Sequence, residues 1–126
     1  MKKIISTNNA PKAIGPYSQA VYSGGHLYIS GQLPINVQTG KMPEGIKEQT
    51  EQALKNVKAI LEEAGFTLAD VVKSTVLLSD IKDFAAMNEV YAKYYTNESP
   101  ARAAYEVVNL PLGAMVEIET IAVRNE

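Results

Sequence analysis

Two predicted strands joined by a turn occupy residues 99–121, SPARAAYEVVNLPLGAMVEIETI. The first carries one arginine, Arg102, in nearly apolar surroundings, and in the second two carboxylates, Glu117 and Glu119, alternate with apolar residues. The chain has ten lysines but only two arginines. An arginine in such a run is typical of a guanidinium group that binds a ligand carboxylate through two parallel N–H donors. It is equally typical of an internal or interfacial salt bridge. The residues alone leave both interpretations open.

The segments around this pair predict an α+β fold. Apolar residues at helical spacing indicate a helix over Ile46–Ala64 that ends at Gly65, and a second helix from Asp80 to about Tyr95. Strand patterns lie at 4–8, 19–22, 27–33, 71–78, 101–108 and 115–123. We expect one domain over residues 1–126, a two-layer sandwich of a six-stranded mixed sheet with both helices on one face.

Some strands are apolar on both of their sides, as in residues 76–78 (VLL) and 121–123 (IAV). Helices on one face of the sheet leave the other face open, and an apolar open face needs a cover. Another copy of the chain is the cover that the sequence itself supplies. The pattern therefore predicts a homo-oligomer.

Composition excludes several classes of function. The net charge of −2 and a pI near 5.5, without a basic stripe, argue against nucleic acid as a partner. The chain lacks cysteine, so disulfides and thiolate chemistry are excluded. It also lacks a long apolar run and the apolar region of a signal peptide, so we expect no membrane span and a cytoplasmic location.

Motifs for phosphate, dinucleotide or zinc binding and for serine hydrolases are missing. The single histidine, His26, follows a Gly-Gly turn and is predicted to be an exposed loop residue rather than a base. No acidic cluster has the spacing of a metal site, and we predict neither metal nor cofactor. Carboxylates, hydroxyls, backbone dipoles and Arg102 remain as catalytic groups.

Five segments of the chain closely resemble the RidA/YjgF family, and in particular its RidA subgroup. They are APKAIGPYSQ (10–19), YISGQLP (28–34), NVKAILEEAG (56–65), PAR (100–102) and residues 110–123 with EIE-x-IA. The resemblance implies a chorismate-mutase-like fold and a homotrimer with clefts at the subunit interfaces. It also implies cofactor-free hydrolysis of 2-imino acids, such as 2-iminopropanoate and 2-iminobutanoate, to 2-oxo acids and ammonia. Such an activity clears reactive intermediates that pyridoxal-phosphate dehydratases release.

The resemblance also implies roles for individual residues. Arg102 would bind the substrate carboxylate, and Glu117 would position the attacking water. Further residues would bind substrate by lining the cleft, namely Tyr17, Ser30, Gly31, Asn88 and Ala104. Without the resemblance, Glu117 and Glu119 could both face solvent, Tyr17 could be a packing residue, Ser30 and Gly31 could mark only a bulge, and Asn88 could be a solvated helix residue.

One segment departs from the family pattern, because many relatives have PARSCVEV where this chain has PARAAYEV. Ala104 can supply the same backbone groups as the missing cysteine, whereas a role for the cysteine side chain would alter the substrate range. The departure motivates an alternative function, a non-catalytic ligand-binding trimer that regulates a transcription factor or an enzyme. An RNA-directed activity and a holdase role are further alternatives, the former disfavoured by the charge.

Overall fold

Within residues 1–124, which the computed structural model describes, two α-helices pack on one face of a six-stranded mixed sheet. This confirms the predicted fold class, and the last two residues of the predicted domain lie outside the described part. The strands are β1 (Lys3–Ile5), β2 (Ala20–Ser23), β3 (His26–Gln32), β4 (Val71–Leu78), β5 (Ala101–Glu106) and β6 (Val116–Val123). The helices are α1 (Ile46–Glu63) and α2 (Phe84–Tyr94).

The strand order β1-β2-β3-β6-β4-β5 places β5 at one edge of the sheet and β6 near its centre. The β4–β5 pair is parallel, and the other neighbouring pairs are antiparallel. A parallel pair needs a crossover connection, and α2 lies in the one between β4 and β5. From the edge strand the chain then turns through Pro111–Gly113 and returns to β6, on the other side of β4.

The core lies between the sheet and the helices. α1 buries one stripe that includes Leu54, Val57 and Ile60, each fully buried, and burial of such a side chain contributes about 1.5–3 kcal/mol. The helix ends at Glu63, and Gly65 adopts a φ of 80°, the left-handed conformation predicted for its C-terminal cap. Alternate residues of β6 complete the layer: Val116, Ile118, Thr120 and Ala122.

The opposite face of the sheet carries no helix in the described chain. It presents half-buried apolar residues such as Leu77 and Ile121, together with two tyrosines, Tyr28 and Tyr105, that are about half exposed. The carboxylates Glu117 and Glu119 lie on this same face, because their strand neighbours Ile118 and Thr120 point into the core. The open, partly apolar face fits the predicted oligomer, which itself stays a prediction.

Three predicted element boundaries differ from the observed ones by more than one residue. The first strand is Lys3–Ile5 rather than 4–8, because buried hydrogen bonds hold the backbone of Thr7 away from the sheet. The second helix starts with a 3₁₀ turn, Ile81–Asp83, which Asp80 caps by accepting from the Lys82 amide at 2.9 Å. β5 ends at Glu106 rather than at residue 108, and Val108 is almost fully exposed.

Candidate functional site

A cleft of about 670 Å³ opens beside the ends of β3 and β6. Four of the residues predicted for the site line it, namely Tyr17, Ser30, Gly31 and Glu117. Glu119 lines it as well, as do apolar residues from three loops: Pro11, Ile14, Leu33, Ile35, Pro111 and Leu112. A pocket of this size with apolar walls and a few convergent polar groups is typical of a small-molecule site.

The amide side chain of Gln19 fixes the loop that forms one wall of the cleft. Gln19 is buried, accepts from the Thr7 amide at 2.7 Å, and donates to the carbonyls of Thr7, Ala10 and Pro11 at 3.0, 3.3 and 2.8 Å. These hydrogen bonds of Gln19 therefore hold residues 7–11, in the segment before β2, in a fixed position. Sequence reasoning did not assign this role, although Gln19 ends the APKAIGPYSQ segment quoted for the resemblance.

A second buried amide, Asn56 of α1, fixes the wall that follows β3. Its Nδ2 atom donates to the carbonyls of Leu33 and Ile35 at 2.9 and 3.0 Å. Carbonyl groups in a loop have no hydrogen-bond partner in a β-ladder. A buried side-chain amide from the helix supplies that partner here. Sequence reasoning missed this role too, and the available signal was a polar residue on the buried stripe of a predicted helix.

Glu117 is the half-buried carboxylate of the cleft. A bulge in the pairing of β3 and β6 falls between Ile29 and Gln32, and it brings the backbone of Gly31 against the Glu117 side chain. Burial raises the pKa of Glu117, and the negative charge of Glu119 raises it further. Glu119 itself is exposed. The two acids share a strand face, but Glu117 is the half-buried one, and its raised pKa suits the transfer of a proton from water.

Tyr17 and Ser30 are held by local hydrogen bonds. The Tyr17 hydroxyl accepts from the Ile14 amide at 3.4 Å, and about half of the residue is exposed. The Ser30 hydroxyl donates to the Ser18 carbonyl at 2.6 Å, which leaves its oxygen lone pairs as acceptors for a ligand. Both side chains therefore keep a fixed position at the cleft and retain some polar capacity.

Arg102 and Asn88 meet on the other side of the sheet. Arg102 Nη1 donates to Asn88 Oδ1 at 2.7 Å, so Asn88 is not simply a solvated helix residue. Within residues 1–124, Arg102 has no carboxylate within ion-pair distance, which rules out a salt bridge inside the described chain. The interfacial salt bridge stays open as an alternative to ligand binding.

Strand register shows that Arg102 and Glu117 belong to opposite faces. Arg102 pairs with the buried Ser74 of β4, whereas Glu117 pairs with Leu77, three residues further along the same strand. Side chains alternate between faces along a strand, so Ser74 and Leu77 point to opposite sides. Ala104 lies on the helix side with Arg102, packed against the core. One chain therefore does not unite the seven predicted site residues.

Other candidate chemistry is sparse in the described residues. His26 is exposed as predicted, begins β3 rather than lying in the loop, and contacts the Gly24 carbonyl through Nδ1 at 3.1 Å. Among residues 1–124, no three histidine, cysteine or acidic side chains gather as a metal site would require. None of the helices described is long and apolar enough to cross a membrane.

Comparisons with known proteins give matches along almost the full chain. The family described as Endoribonuclease L-PSP matches residues 7–124. A RutC family protein of Pyrococcus horikoshii is 57% identical over 123 residues, 97% of this chain and 98% of the relative. The 2-iminobutanoate/2-iminopropanoate deaminase of Capra hircus is 53% identical, over 98% of this chain and 91% of the relative. The crystal structure of RidA from an Antarctic Psychrobacter species matches with a TM-score of 0.94 at 49% identity, covering 97% and 99% of the two chains.

Proposed function

The chain belongs to the RidA/YjgF family, and on that premise we propose that it hydrolyses 2-imino acids to 2-oxo acids and ammonia. The observation that carries the proposal is the position of Glu117, half-buried in an apolar-walled cleft beside Gly31, with a raised pKa. A relative that is 53% identical over nearly the whole chain bears the name 2-iminobutanoate/2-iminopropanoate deaminase. We place the reaction in the cytoplasm, where dehydratases would release such imines.

The proposed reaction needs little activation, because an imine carbon is already electrophilic. Arg102 binds the substrate carboxylate through two parallel N–H donors and so aims the imine carbon. Glu117 accepts a proton from water as the water oxygen bonds to that carbon. Addition to the protonated imine gives a neutral carbinolamine, and Glu117 returns the proton to its nitrogen. The C–N bond then breaks, ammonia leaves, and the carbinolamine hydroxyl gives its proton to Glu117 as it becomes the carbonyl of the 2-oxo acid. Glu117 passes that proton to ammonia, which restores the carboxylate. The step requires no metal or cofactor.

We propose that the site forms between copies of the chain. Arg102, Asn88 and Ala104 lie on the helix side of the edge strand β5, while Tyr17, Ser30, Gly31 and Glu117 line the cleft at the other side. A contact between two different surfaces of one protein closes into a ring when the rotation permits. A homotrimer, as the family resemblance implies, would make three such sites and cover the open sheet face.

We do not extend the endoribonuclease description of the family to this chain. The net charge is −2, and the single histidine is exposed at the start of β3, outside the cleft. Binding of an RNA backbone draws on clustered lysine and arginine and weakens steeply with salt. RNA binding that is absent or insensitive to salt is therefore the expected result.

The test of the proposed function is competition with semicarbazide for a newly formed imine. A threonine dehydratase or an amino-acid oxidase generates the imine, and semicarbazide traps whatever survives. The protein is expected to suppress semicarbazone formation and to release 2-oxo acid faster than the uncatalysed reaction. An unchanged trap signal would refute the deaminase activity and favour a ligand-binding protein with the same cleft.

We predict that kcat/KM rises with pH through an apparent pKa above the usual range of a glutamate. Burial, and then the charge of Glu119, raises the pKa of Glu117. Below that pKa the carboxyl is protonated and cannot accept a proton from water, so the rate falls as the pH falls. Glu119→Gln should move this limb of the pH–rate profile to lower pH. The shift should be small, because burial is the larger cause of the raised pKa of Glu117.

This profile is measured in the trapping assay, with the uncatalysed hydrolysis of the imine subtracted at each pH. A limb in the ordinary glutamate range would contradict the raised pKa. A limb that Glu119→Gln shifts to higher pH would contradict the sign of the interaction between the two carboxylates.

Gly31→Ala is predicted to lower the rate by about 10²-fold and to leave the fold intact. A Cβ at this position would overlap Oε2 of Glu117 and come within 2.9 Å of its Cδ, so the carboxylate must move. The backbone of Gly31 lies outside the left-handed region, so alanine adds no conformational strain. Rate and melting temperature are measured together. A variant with the wild-type rate would show that the position of Glu117 beside Gly31 is not required.

A further inference from the structure

The guanidinium of Arg102 is enclosed by side chains of α2. Its Cζ lies 4.8 Å from the ring centroid of Tyr91 and 5.5 Å from that of Phe84, and Nη1 donates to Asn88. On β5 the adjoining residues, Ala101 and Ala103, point to the opposite face of the sheet. The orientation of the guanidinium is therefore set by the helix.

All three enclosing groups are neutral, which preserves the charge of the arginine for a ligand. Asn88 uses one of the five N–H donors of Arg102, and the aromatic faces attract the cation without consuming a donor. A carboxylate at these positions would instead compete with an anionic ligand. An arginine held by an amide and two rings is thus pre-oriented and still able to bind a carboxylate bidentately.

Of the three side chains that surround Arg102, Tyr91 is the most buried. It is 6% exposed, and its ring lies 4.8 Å from that of Tyr95. Burial raises the pKa of Tyr91, while the nearby Ser74 hydroxyl and the charge of Arg102 oppose that effect. Ser74 pairs with Arg102 across β4 and β5, so the ring fills the space directly above both residues. Phe84, at the start of α2, is only half-buried.

We propose that Tyr91 is a positioning residue: its ring face holds the Arg102 guanidinium in the orientation that binds the carboxylate of the substrate. The proposal rests on the proposed function for the identity of that carboxylate. It assigns the effect to the ring rather than to the hydroxyl, because the guanidinium Cζ lies over the ring, 4.8 Å from its centroid. Tyr91→Phe should therefore act like wild type, and Tyr91→Met, which fills the space without a π face, should not.

The first measurement reports the guanidinium directly and is independent of activity. The chain has two arginines, so protein labelled with ¹⁵N-arginine gives two side-chain Nε–H signals, and Arg124→Lys assigns them. Ring currents from Tyr91 and Phe84 should displace the Arg102 proton upfield. Tyr91→Met should remove most of the displacement, and Tyr91→Phe should keep it. An Arg102 signal that does not respond to Tyr91→Met would overturn the proposal.

The second measurement is the affinity for 2-oxobutanoate, a stable 2-oxo acid. Tyr91→Met should weaken binding by about 3–30-fold, and Tyr91→Phe by less than about twofold. In an Arg102→Ala background, Tyr91→Met should weaken it no further, because Tyr91 acts through Arg102. An equal loss in both backgrounds would show a merely structural role and contradict the proposal.

The two measurements separate the outcomes. If wild type leaves the semicarbazide trap signal unchanged while the Arg102 signal responds to Tyr91→Met, the placement of Arg102 by Tyr91 stands and the proposed function fails. Melting temperatures show whether each variant is folded. Should Tyr91→Met not fold, Tyr91→Leu replaces it, and Phe84→Leu tests the second ring at the partly exposed position.

Discussion

Arg102→Ala is expected to lower kcat/KM for 2-imino acids by about 10²–10³-fold, the largest loss that any one binding contact of the site should cause. The substitution removes the fork that fixes the substrate carboxylate, so both binding and alignment of the imine carbon suffer. Arg102→Lys keeps the charge and loses the planar pair of donors, and an intermediate rate is expected.

The loss is measured in the semicarbazide assay, with the affinity for 2-oxobutanoate as a second readout. Arg102→Ala should weaken that affinity markedly at an unchanged oligomeric state. Arg102 makes no ion pair within residues 1–124, so its removal leaves no unpaired buried carboxylate there. The lost contacts with Asn88, Tyr91 and Phe84 should lower the melting temperature by a few degrees without unfolding the protein. A rate within about threefold of wild type would contradict the role of Arg102.

Glu117→Gln is expected to lower kcat by about 10²–10⁴-fold, because glutamine keeps the shape of the side chain and cannot accept the proton of water. The pH limb assigned to Glu117 should disappear with it. Affinity for 2-oxobutanoate should remain close to that of wild type, since the carboxylate of the ligand is bound by Arg102.

This contrast separates the two residues. Arg102→Ala should affect both the affinity and the rate, whereas Glu117→Gln should affect mainly the rate. Glu119→Gln is the matched control, since it removes a neighbouring carboxylate from the same strand face and the same cleft. If Glu117→Gln retains the wild-type rate and pH profile while Glu119→Gln does not, the roles of the two acids have been reversed.

Local patterns predicted the fold closely. The apolar stripe of α1 predicted a helix, and the β-branched run of β4 predicted a strand. β4 spans Val71–Leu78 as predicted. The predicted mixed sheet is observed, and its parallel pair, β4 and β5, is joined through α2. The predicted end of β1 was wrong because it depends on tertiary hydrogen bonds of Gln19 that no local pattern encodes. The predicted end of β5 was wrong as well, since the strand stops at Glu106.

The site was predictable only in part. Arg102 stands out by composition, but strand alternation treats Glu117 and Glu119 alike, and only the resemblance favoured Glu117. In the structure the two differ because the bulge at Gly31 half-buries Glu117. The roles of Gln19, Asn56 and Tyr91 were missed, since a polar residue in a sequence is read as exposed unless its partners are known.

The opposite placement of Arg102 and Glu117 could not be derived from the sequence at all. It depends on the register between β4 and its two neighbours, which sets Arg102 beside Ser74 and Glu117 beside Leu77. Each strand pattern fixes only which residues share a face, not which face meets the helices. This placement is why we assign the site to more than one chain.

Complementation between two inactive variants tests this assignment most directly. Arg102→Ala and Glu117→Gln are refolded alone and as an equimolar mixture, and the rate of imine hydrolysis is measured against semicarbazide. Each variant alone should be nearly inactive, and in a randomly mixed ring about a quarter of the sites should pair an intact Arg102 with an intact Glu117 from another copy. The mixture should therefore hydrolyse the imine at about a quarter of the wild-type rate. If mixed oligomers of correctly folded subunits form and the rate of hydrolysis does not recover, a site shared between copies is contradicted.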